Sequence, residues 1–109
     1  MVGASNGGHM TMRFACEAAS LLRAAGNVIS NMPVKLAQSC QPSKSLPWLS
    51  MNGTADKIMP FGGTLKEPAL LSAEATHQFW AKHDKSGYSR FYPLQGAGHQ
   101  WANPPESAS

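Results

Sequence analysis

Residues 3–7 read Gly3-Ala4-Ser5-Asn6-Gly7, which is the pattern Gly-x-Ser-x-Gly, and a helical pattern begins directly after them. Such a pattern places its serine on a sharp turn between a strand and a helix, where bulky neighbours at either glycine would collide with the turn or with adjacent strands. The helix that follows supplies backbone N–H groups and a positive dipole end where an oxyanion could form. The stretch predicts Ser5 as a nucleophile; the alternative is a glycine-rich loop with a surface serine.

Two helices are predicted from apolar periodicity and capping signals. From His9 to Leu22 the apolar residues recur at steps of three and four, as on one face of a helix, and Gly26 ends this pattern. The apolar positions are Met10, Phe14, Ala18, Leu21 and Leu22. Ser72 is a favourable N-cap for a second helix, which ends before Gly87.

Strand signals alternate with these helices. Short apolar runs that predict strands lie at residues 28–29, 46–51 and 88–92. Polar stretches that contain prolines, at residues 31–45 and 56–71, predict loops. Because alternating strands and helices are typical of a parallel sheet, the sequence predicts an α/β fold.

An acid and a histidine follow two of the predicted strands. Residues 52–56, Asn-Gly-Thr-Ala-Asp, place Asp56 just past one strand, and residues 96–99, Gly-Ala-Gly-His, place His99 in a turn after the next. A serine hydroxyl needs a histidine to take its proton and a carboxylate to fix the tautomer of that histidine. Taken singly, Asp56 is a common turn aspartate and His99 a loop histidine. Their order after Ser5 predicts a Ser–Asp–His triad at the carboxyl ends of parallel strands.

Three motifs carry a resemblance to a known family: residues 3–11 with Phe-Ala-Cys-Glu at 14–17, residues 52–63, and Gly-Ala-Gly-His-Gln-Trp at 96–101. They resemble the C-terminal half of the polyhydroxybutyrate-depolymerase and feruloyl-esterase-like group of α/β-hydrolases. The resemblance implies a truncated α/β-hydrolase with a short parallel sheet and flanking helices. It implies Ser5 as the nucleophile, Asp56 as the orienting acid and His99 as the general base. The backbone N–H of Asn6, the residue after the nucleophile, is the implied oxyanion donor.

The activity implied by this resemblance is hydrolysis of carboxylic esters through an acyl-enzyme on Ser5. The ester would be a polyester, a feruloyl or acetyl ester or a short acyl ester, and no metal or organic cofactor is expected. Family members are largely exported, which implies a secreted or periplasmic protein, although no signal-peptide pattern opens the chain. Only Met1 and Val2 precede the elbow, where family members have further strands, and no second oxyanion donor can be assigned. The alternative function is a non-catalytic fragment or binding module that retains a relic triad.

Length and charge exclude several other classes of protein. The 109 residues allow one domain, which we expect at residues 1–101, followed by a Pro/Ser-rich flexible tail at residues 102–109. The nine basic residues are scattered without a cluster, so the net charge of +3 does not predict nucleic-acid binding. No apolar run approaches the ~18 residues of a membrane-spanning helix, so no membrane partner is expected. No Cys/His spacing predicts a metal site.

Three side chains have two interpretations each. Cys16 and Cys40 could form a disulfide, as the export of the family implies, or remain free thiols, one of them packed as a small apolar residue. Trp101, two residues after His99, could line the substrate cleft or pack in the core.

A short sheet is also expected to leave one edge unpaired and helix faces bare. Unpaired edges recruit other chains, and exposed apolar patches mark interfaces. We therefore expect a homo-oligomer, most simply a two-fold dimer, in which a neighbouring copy covers the side of the sheet next to the Ser5 strand.

Overall fold

Four parallel strands form the sheet in this computed structural model, which describes residues 1–99. The strands are β1 (Val2–Ala4), β2 (Ala25–Val28), β3 (Trp48–Gly53) and β4 (Arg90–Leu94). Each strand pairs in parallel with the next one along the chain, so the spatial order is β1-β2-β3-β4. The predicted α/β fold, a short parallel sheet with flanking helices, is confirmed.

Three helices connect these strands. They are α1 (Asn6–Ala18, extended by a 3₁₀ turn at Ala19–Leu21), α2 (Val34–Ser39) and α3 (Ala73–Ala81). Ser72 caps α3 as predicted, because its side chain accepts a hydrogen bond from the N–H of Ala75 at 3.0 Å. None of the helices in residues 1–99 is long and apolar enough to cross a lipid bilayer.

Helix α2 lies within residues 31–45, where the sequence predicted only a loop, and that prediction was wrong. The helix begins after Pro33, whose φ of −61° suits the start of a helix. Only Leu36 and Ala37 of its six residues pack against the core, and neither is fully buried, so the helix is too short and too shallow for apolar periodicity to reveal it. A disulfide between Cys16 and Cys40 joins α1 to the residue that follows α2. This resolves the open question of the two cysteines in favour of the disulfide.

The buried face of α1 differs from the predicted one. Its buried residues are Gly8, Thr11, Met12 and Ala15. Three of the predicted apolar positions instead face outwards, with Met10 70%, Phe14 36% and Leu21 74% exposed, while Leu22 packs against the core. Close approach at one end of the helix contributes to this: a Cβ on Gly8 would lie 1.9 Å from the Oγ of Ser30, so α1 meets the loop after β2 at a glycine.

The core between the sheet and the helices is built around two tryptophans. Trp48 on β3 and Trp80 on α3 stack with ring centroids 3.9 Å apart, and both are buried. Met12 and Ala15 of α1 belong to the same apolar cluster. This packing holds α1 and α3 against the sheet. It therefore also fixes the loops that leave the carboxyl ends of the strands.

Strands β2 and β4 depart from their predicted bounds. Strand β2 ends at Val28, because Ile29 has a φ of 46° and turns the chain out of the strand. Strand β4 begins at Arg90 and runs through Pro93 to Leu94, two residues later at each end than the predicted run at residues 88–92. Proline is tolerated there because β4 lies at an edge of the described sheet, where one side of the strand needs no hydrogen-bonding partner.

Candidate active site

Ser5 occupies the turn between β1 and α1. Its φ of 53° lies in the left-handed region, which is uncommon for a residue with a side chain and is found where the surrounding structure enforces it. Its N–H donates to the carbonyl of Val28 at 2.9 Å, so the turn is tied to the neighbouring strand β2. The amides of Gly8 and His9 both donate to the Ser5 carbonyl, at 2.9 and 3.2 Å. The backbone therefore holds the serine between strand and helix.

The glycines around Ser5 do not all have the role that the pattern predicted. A Cβ on Gly3 would lie 2.0 Å from the carbonyl oxygen of Gly7, so Gly3 is required for close approach. A Cβ on Gly7 would meet no atom of the described residues within 4 Å, and the expected collision at Gly7 is wrong. The close contact falls one residue later, at Gly8, where the helix passes Ser30.

Ser5, His99 and Asp56 lie in one chain of hydrogen bonds. The Ser5 Oγ is 2.9 Å from the His99 Nε2, and the His99 Nδ1 is 2.8 Å from the Asp56 Oδ2. Because a carboxylate accepts and does not donate, Nδ1 carries the proton and Nε2 accepts from the serine hydroxyl. The Asp56 side chain is 1% exposed and the His99 side chain 19% exposed. The structure thus brings together three residues that the sequence separates by 94 positions.

The carboxylate of Asp56 is oriented by its own turn. Its Oδ1 accepts from the backbone N–H groups of Ile58 at 2.9 Å and Met59 at 2.8 Å. With Oδ1 bound in this way, Oδ2 is directed to His99. These bonds fix the carboxylate before any substrate is present.

The loop that carries His99 is held against the end of β3. A Cβ on Gly53 would lie 2.3 Å from the Ala97 carbonyl oxygen, so the backbones can approach this closely only with glycine at this position. The Thr54 Oγ1 accepts from the N–H of Gly96 at 2.8 Å. The glycine and the threonine of the Asn-Gly-Thr-Ala-Asp motif therefore position the histidine, while its aspartate orients the histidine ring.

Asn6 and Trp101 were the other predicted site residues. Asn6 begins α1, and the N–H groups of the first helical residues have no carbonyl one turn earlier to accept them. Its N–H directly follows Ser5, which keeps it as the candidate oxyanion donor. Trp101 lies outside the described residues, as does the tail predicted at residues 102–109.

The sequence did not predict a buried amide network beneath this site. Asn27 on β2, Asn52 on β3 and Asn31 after β2 are all buried and bonded to one another or to shared partners. The Asn27 Oδ1 accepts from the Trp48 Nε1 at 2.7 Å and from the Ser50 Oγ at 2.9 Å. Asparagines at or near the ends of two adjacent predicted strands were the available signal.

Two histidines, His77 on α3 and His9 on α1, are partly withdrawn from water. Burial lowers the pKa of His77 on α3, whose Nδ1 lies 3.2 Å from the Ser50 Oγ and whose ring stacks on Phe91. Burial also lowers the pKa of His9, against a smaller opposing effect of the Asn31 backbone. His9 borders a cleft of about 380 Å³ between α1 and α2, which Arg13, Lys35 and Leu36 also line. No group of three His, Cys, Asp or Glu side chains among residues 1–99 is arranged to hold a metal ion.

Two solved structures share this architecture. A point variant of SOBER1 from Arabidopsis thaliana superposes with a TM-score of 0.55 at 20% identity, over 93% of this chain. TT1662 from Thermus thermophilus superposes with a TM-score of 0.57 at 20% identity, over 91% of this chain. The chain has an α/β-hydrolase fold.

The chain spans 45% of the SOBER1 structure and 46% of the TT1662 structure, which is less than half the length of each. The sequence matches no protein-family model and no curated protein sequence. The fold-level part of the predicted resemblance is therefore established. The narrower polyhydroxybutyrate-depolymerase and feruloyl-esterase-like group stays a prediction.

Proposed function

We propose that this chain is a serine hydrolase that cleaves carboxylic esters through an acyl-enzyme on Ser5. The observation that carries the proposal is the continuous hydrogen-bonded chain from the Ser5 Oγ through His99 to Asp56. Its members follow β1, β4 and β3 at their carboxyl ends, which is where α/β folds place their sites. The α/β-hydrolase fold supports the same class of reaction.

In the first half of the reaction, the Ser5 Oγ attacks the carbonyl carbon of the ester while the His99 Nε2 takes the hydroxyl proton. Asp56 stabilises the imidazolium that forms and keeps its ring in place. The tetrahedral oxyanion accepts a hydrogen bond from the Asn6 N–H. As the bond to the leaving oxygen breaks, His99 gives its proton to the departing alcohol, and the acyl group remains on Ser5.

In the second half, water replaces the alcohol. The His99 Nε2 takes a proton from the water as its oxygen attacks the acyl carbon. The second tetrahedral intermediate collapses, the Ser5 Oγ regains a proton from His99, and the carboxylic acid leaves. Each step uses the same two hydrogen bonds, so both halves depend on the same geometry.

The resemblance of the motifs suggests the range of substrates: polyesters, feruloyl or acetyl esters of polysaccharides, and short acyl esters. All three share the carbonyl carbon that Ser5 would attack. Export to the periplasm or the medium is part of the same proposal. Assignment to the polyhydroxybutyrate-depolymerase and feruloyl-esterase-like group rests on the motifs at residues 3–11, 52–63 and 96–101.

A second candidate is a non-catalytic module that retains the triad. Loss of one oxyanion donor costs roughly 10²–10³ in rate, so a chain that lacks one would be slow even with an intact triad.

The test uses the purified full chain with a short-chain p-nitrophenyl ester and a serine-directed fluorophosphonate. We expect slow hydrolysis and covalent labelling, and both should vanish in Ser5→Ala without a change in circular dichroism. Labelling at any residue other than Ser5 would contradict the assignment. A folded chain that is neither active nor labelled would favour the non-catalytic module.

A further inference from the structure

Asn31, in the loop after β2, makes three hydrogen bonds through its side-chain amide, each to a different part of the chain. Its Nδ2 donates to the carbonyl oxygens of Pro60 at 2.7 Å and Leu71 at 2.8 Å. Its Oδ1 accepts from the Asn52 Nδ2 at 3.0 Å. The residue is 0% exposed. The opposite polarity of these partners fixes which end of the amide faces which neighbour.

The bond to Pro60 connects Asn31 to the acid of the candidate site. Asp56 and Pro60 are the two ends of one turn, residues 56–60, called here the Asp56 turn. Inside this turn, the Asp56 Oδ1 accepts from the amides of Ile58 and Met59. The carbonyl of Pro60 also accepts from the Gly63 N–H at 2.8 Å, which is a local bond within the same loop. Asn31 therefore attaches the far end of the Asp56 turn to a different part of the fold.

The strand that leads into the Asp56 turn is bonded to Asn31 as well. Asn52 lies on β3, four residues before Asp56, and is itself buried. Its Nδ2 donates to the Ser30 carbonyl at 3.1 Å as well as to Asn31. The Asn31 side chain is thus bonded both to Asn52, on the strand before the Asp56 turn, and to Pro60, the last residue of the turn.

We propose that Asn31 is a positioning residue that holds the Asp56 turn so that the Asp56 Oδ2 stays bonded to the His99 Nδ1. It touches no reacting atom and acts only through Asp56. The consequence for catalysis rests on the proposed function. The consequence for the hydrogen bond between His99 and Asp56 does not, and can be measured in an inactive chain.

The first experiment observes that bond directly by proton NMR. The His99 ring N–H, bonded to a carboxylate at 2.8 Å, should give a downfield resonance that is absent in His99→Ala. In Asn31→Ser we expect this resonance to move upfield or to broaden by exchange. Thr76→Val is the matched control: Thr76 is also 0% exposed and its Oγ1 accepts from the Met32 N–H at 2.9 Å, but it makes no hydrogen bond to the Asp56 turn. An unchanged His99 resonance in folded Asn31→Ser would overturn the proposal.

Amide hydrogen exchange gives a second readout if Asn31→Ser is only partly folded. The amides of Ile58 and Met59 should exchange at least about tenfold faster in Asn31→Ser, because their acceptor moves with the Asp56 turn. The exchange rates of the α1 amides should change only as much as the free energy of global unfolding changes. A uniform rise over the whole chain would mean that Asn31 serves stability alone, and would overturn the proposal.

The second experiment is a double-mutant cycle on the rate of fluorophosphonate labelling at Ser5. We expect Asn31→Ser to slow labelling by about tenfold to a hundredfold, since a small misplacement of a catalytic group has effects of that size. In an Asp56→Ala background the same change should slow labelling no further. Equal losses in both backgrounds would contradict action through Asp56. If the unaltered chain is not labelled at all, the proposed function fails, while the NMR result still decides the role of Asn31.

Discussion

At the scale of single residues, neighbouring glycines of one motif have different physical roles. A side chain at Gly7 would enter open space among the described residues, while one at Gly8 would lie 1.9 Å from the Ser30 Oγ and 2.8 Å from its Cβ. Of these two neighbours, only Gly8 is required for the close contact between α1 and the loop after β2, and Gly7 is not.

The matched pair Gly7→Ala and Gly8→Ala tests this difference. We expect Gly7→Ala to leave the free energy of unfolding unchanged or to raise it by up to about 1 kcal/mol, because alanine favours a helix more than glycine does. Gly8→Ala should lower it by about 1–3 kcal/mol, the usual cost of overpacking. Urea denaturation of both variants measures the two values. Equal stabilities would contradict the close contact at Gly8.

The acid of the site is tested by Asp56→Asn. The amide can donate towards the His99 Nδ1, which favours the tautomer with its proton on Nε2, so the ring can no longer accept the serine proton. The expected loss of esterase rate is about 10⁴-fold, as for the same change in a serine protease. Steady-state hydrolysis of a p-nitrophenyl ester measures it. A loss of less than tenfold would show that Asp56 does not orient His99 for catalysis.

At the scale of elements, the disulfide and one aspartate hold segments that contribute few fully buried side chains. Helix α2 buries none of its residues, and the Cys16–Cys40 bond attaches its end to α1. Asp84, after α3, accepts hydrogen bonds from Ser45, Ser86 and Ser89, which shape the turn into β4.

Removal of the disulfide by the double change Cys16→Ser and Cys40→Ser should destabilise the chain. The bond closes a loop with a sequence separation of 24, and the loss of this restraint on the unfolded chain corresponds to about 3 kcal/mol. Thermal unfolding with and without reductant gives the same comparison on the unaltered chain. A melting temperature that reductant does not lower would contradict this role.

The hydrogen bonds that Asp84 accepts from Ser86 and Ser89 should make the free energy of unfolding depend on pH. Partial burial by itself would raise the pKa of Asp84, but hydrogen bonds from the side chains and backbones of Ser86 and Ser89 lower it to about 2. An aspartate in an unfolded chain titrates near pH ~3.9. Because the folded pKa is the lower one, Asp84 stabilises the fold above about pH 4, and this contribution is lost as the pH falls from there towards 2.

Asp84→Asn tests that dependence. At pH 7 it should lower the melting temperature by a few degrees, and the difference from the unaltered chain should shrink between pH 4 and the lowest pH at which the fold survives. The lowered pKa values of His77 and His9 also reduce stability in acid, but this loss begins as the pH falls below about 6.5, before Asp84 starts to titrate. Both variants of the comparison contain the two histidines, so their effect cancels in the difference. A difference that stays constant down to pH 3 would contradict the proposed hydrogen-bond origin.

At the scale of the whole molecule, a strand edge and several apolar side chains of α1 remain uncovered within residues 1–99. Strand β1 is at an edge of the sheet, and Val2 on it is 53% exposed. Met10 and Phe14 of α1 lie exposed at helical spacing. Arg13 and Glu17 form an exposed ion pair on α1, with side chains 72% and 63% exposed. Unpaired strand edges and exposed apolar side chains are each typical of interfaces.

A second copy of the chain is the occupant that we propose for this face. Its charges are self-complementary, because two α1 helices packed antiparallel about a two-fold axis would bring each Arg13 near the Glu17 of the other copy. Sedimentation velocity at micromolar concentration should show a dimer, and Met10→Lys should shift it to monomer. Leu65→Lys, at a residue 99% exposed, is the control that should leave the dimer intact. A stable monomer of the unaltered chain would disprove this proposal.

Local sequence patterns determined the path of the backbone at the carboxyl edge of the sheet. The Gly-x-Ser-x-Gly stretch predicts a turn around Ser5 because such a turn needs small neighbours, and the turns that carry Asp56 and His99 are similarly local. Alternating strand and helix signals then predict a parallel sheet, which gathers these turns at one edge. The hydrogen bonds between Ser5, His99 and Asp56 agree with that expectation in their geometry.

Only the tertiary structure decided which face of α1 is buried and which side chains stand behind the acid. Periodicity favours the stripe of Met10 and Phe14, yet α1 buries the face that carries Gly8 and Met12, and the loop after β2 approaches it at Gly8, where only a glycine fits. Asn31 and Asn52 are ordinary polar residues in the sequence. They become a buried connection only because parallel pairing places β2 beside β3. Their side-chain amides are then excluded from water, so each must form its hydrogen bonds within the protein.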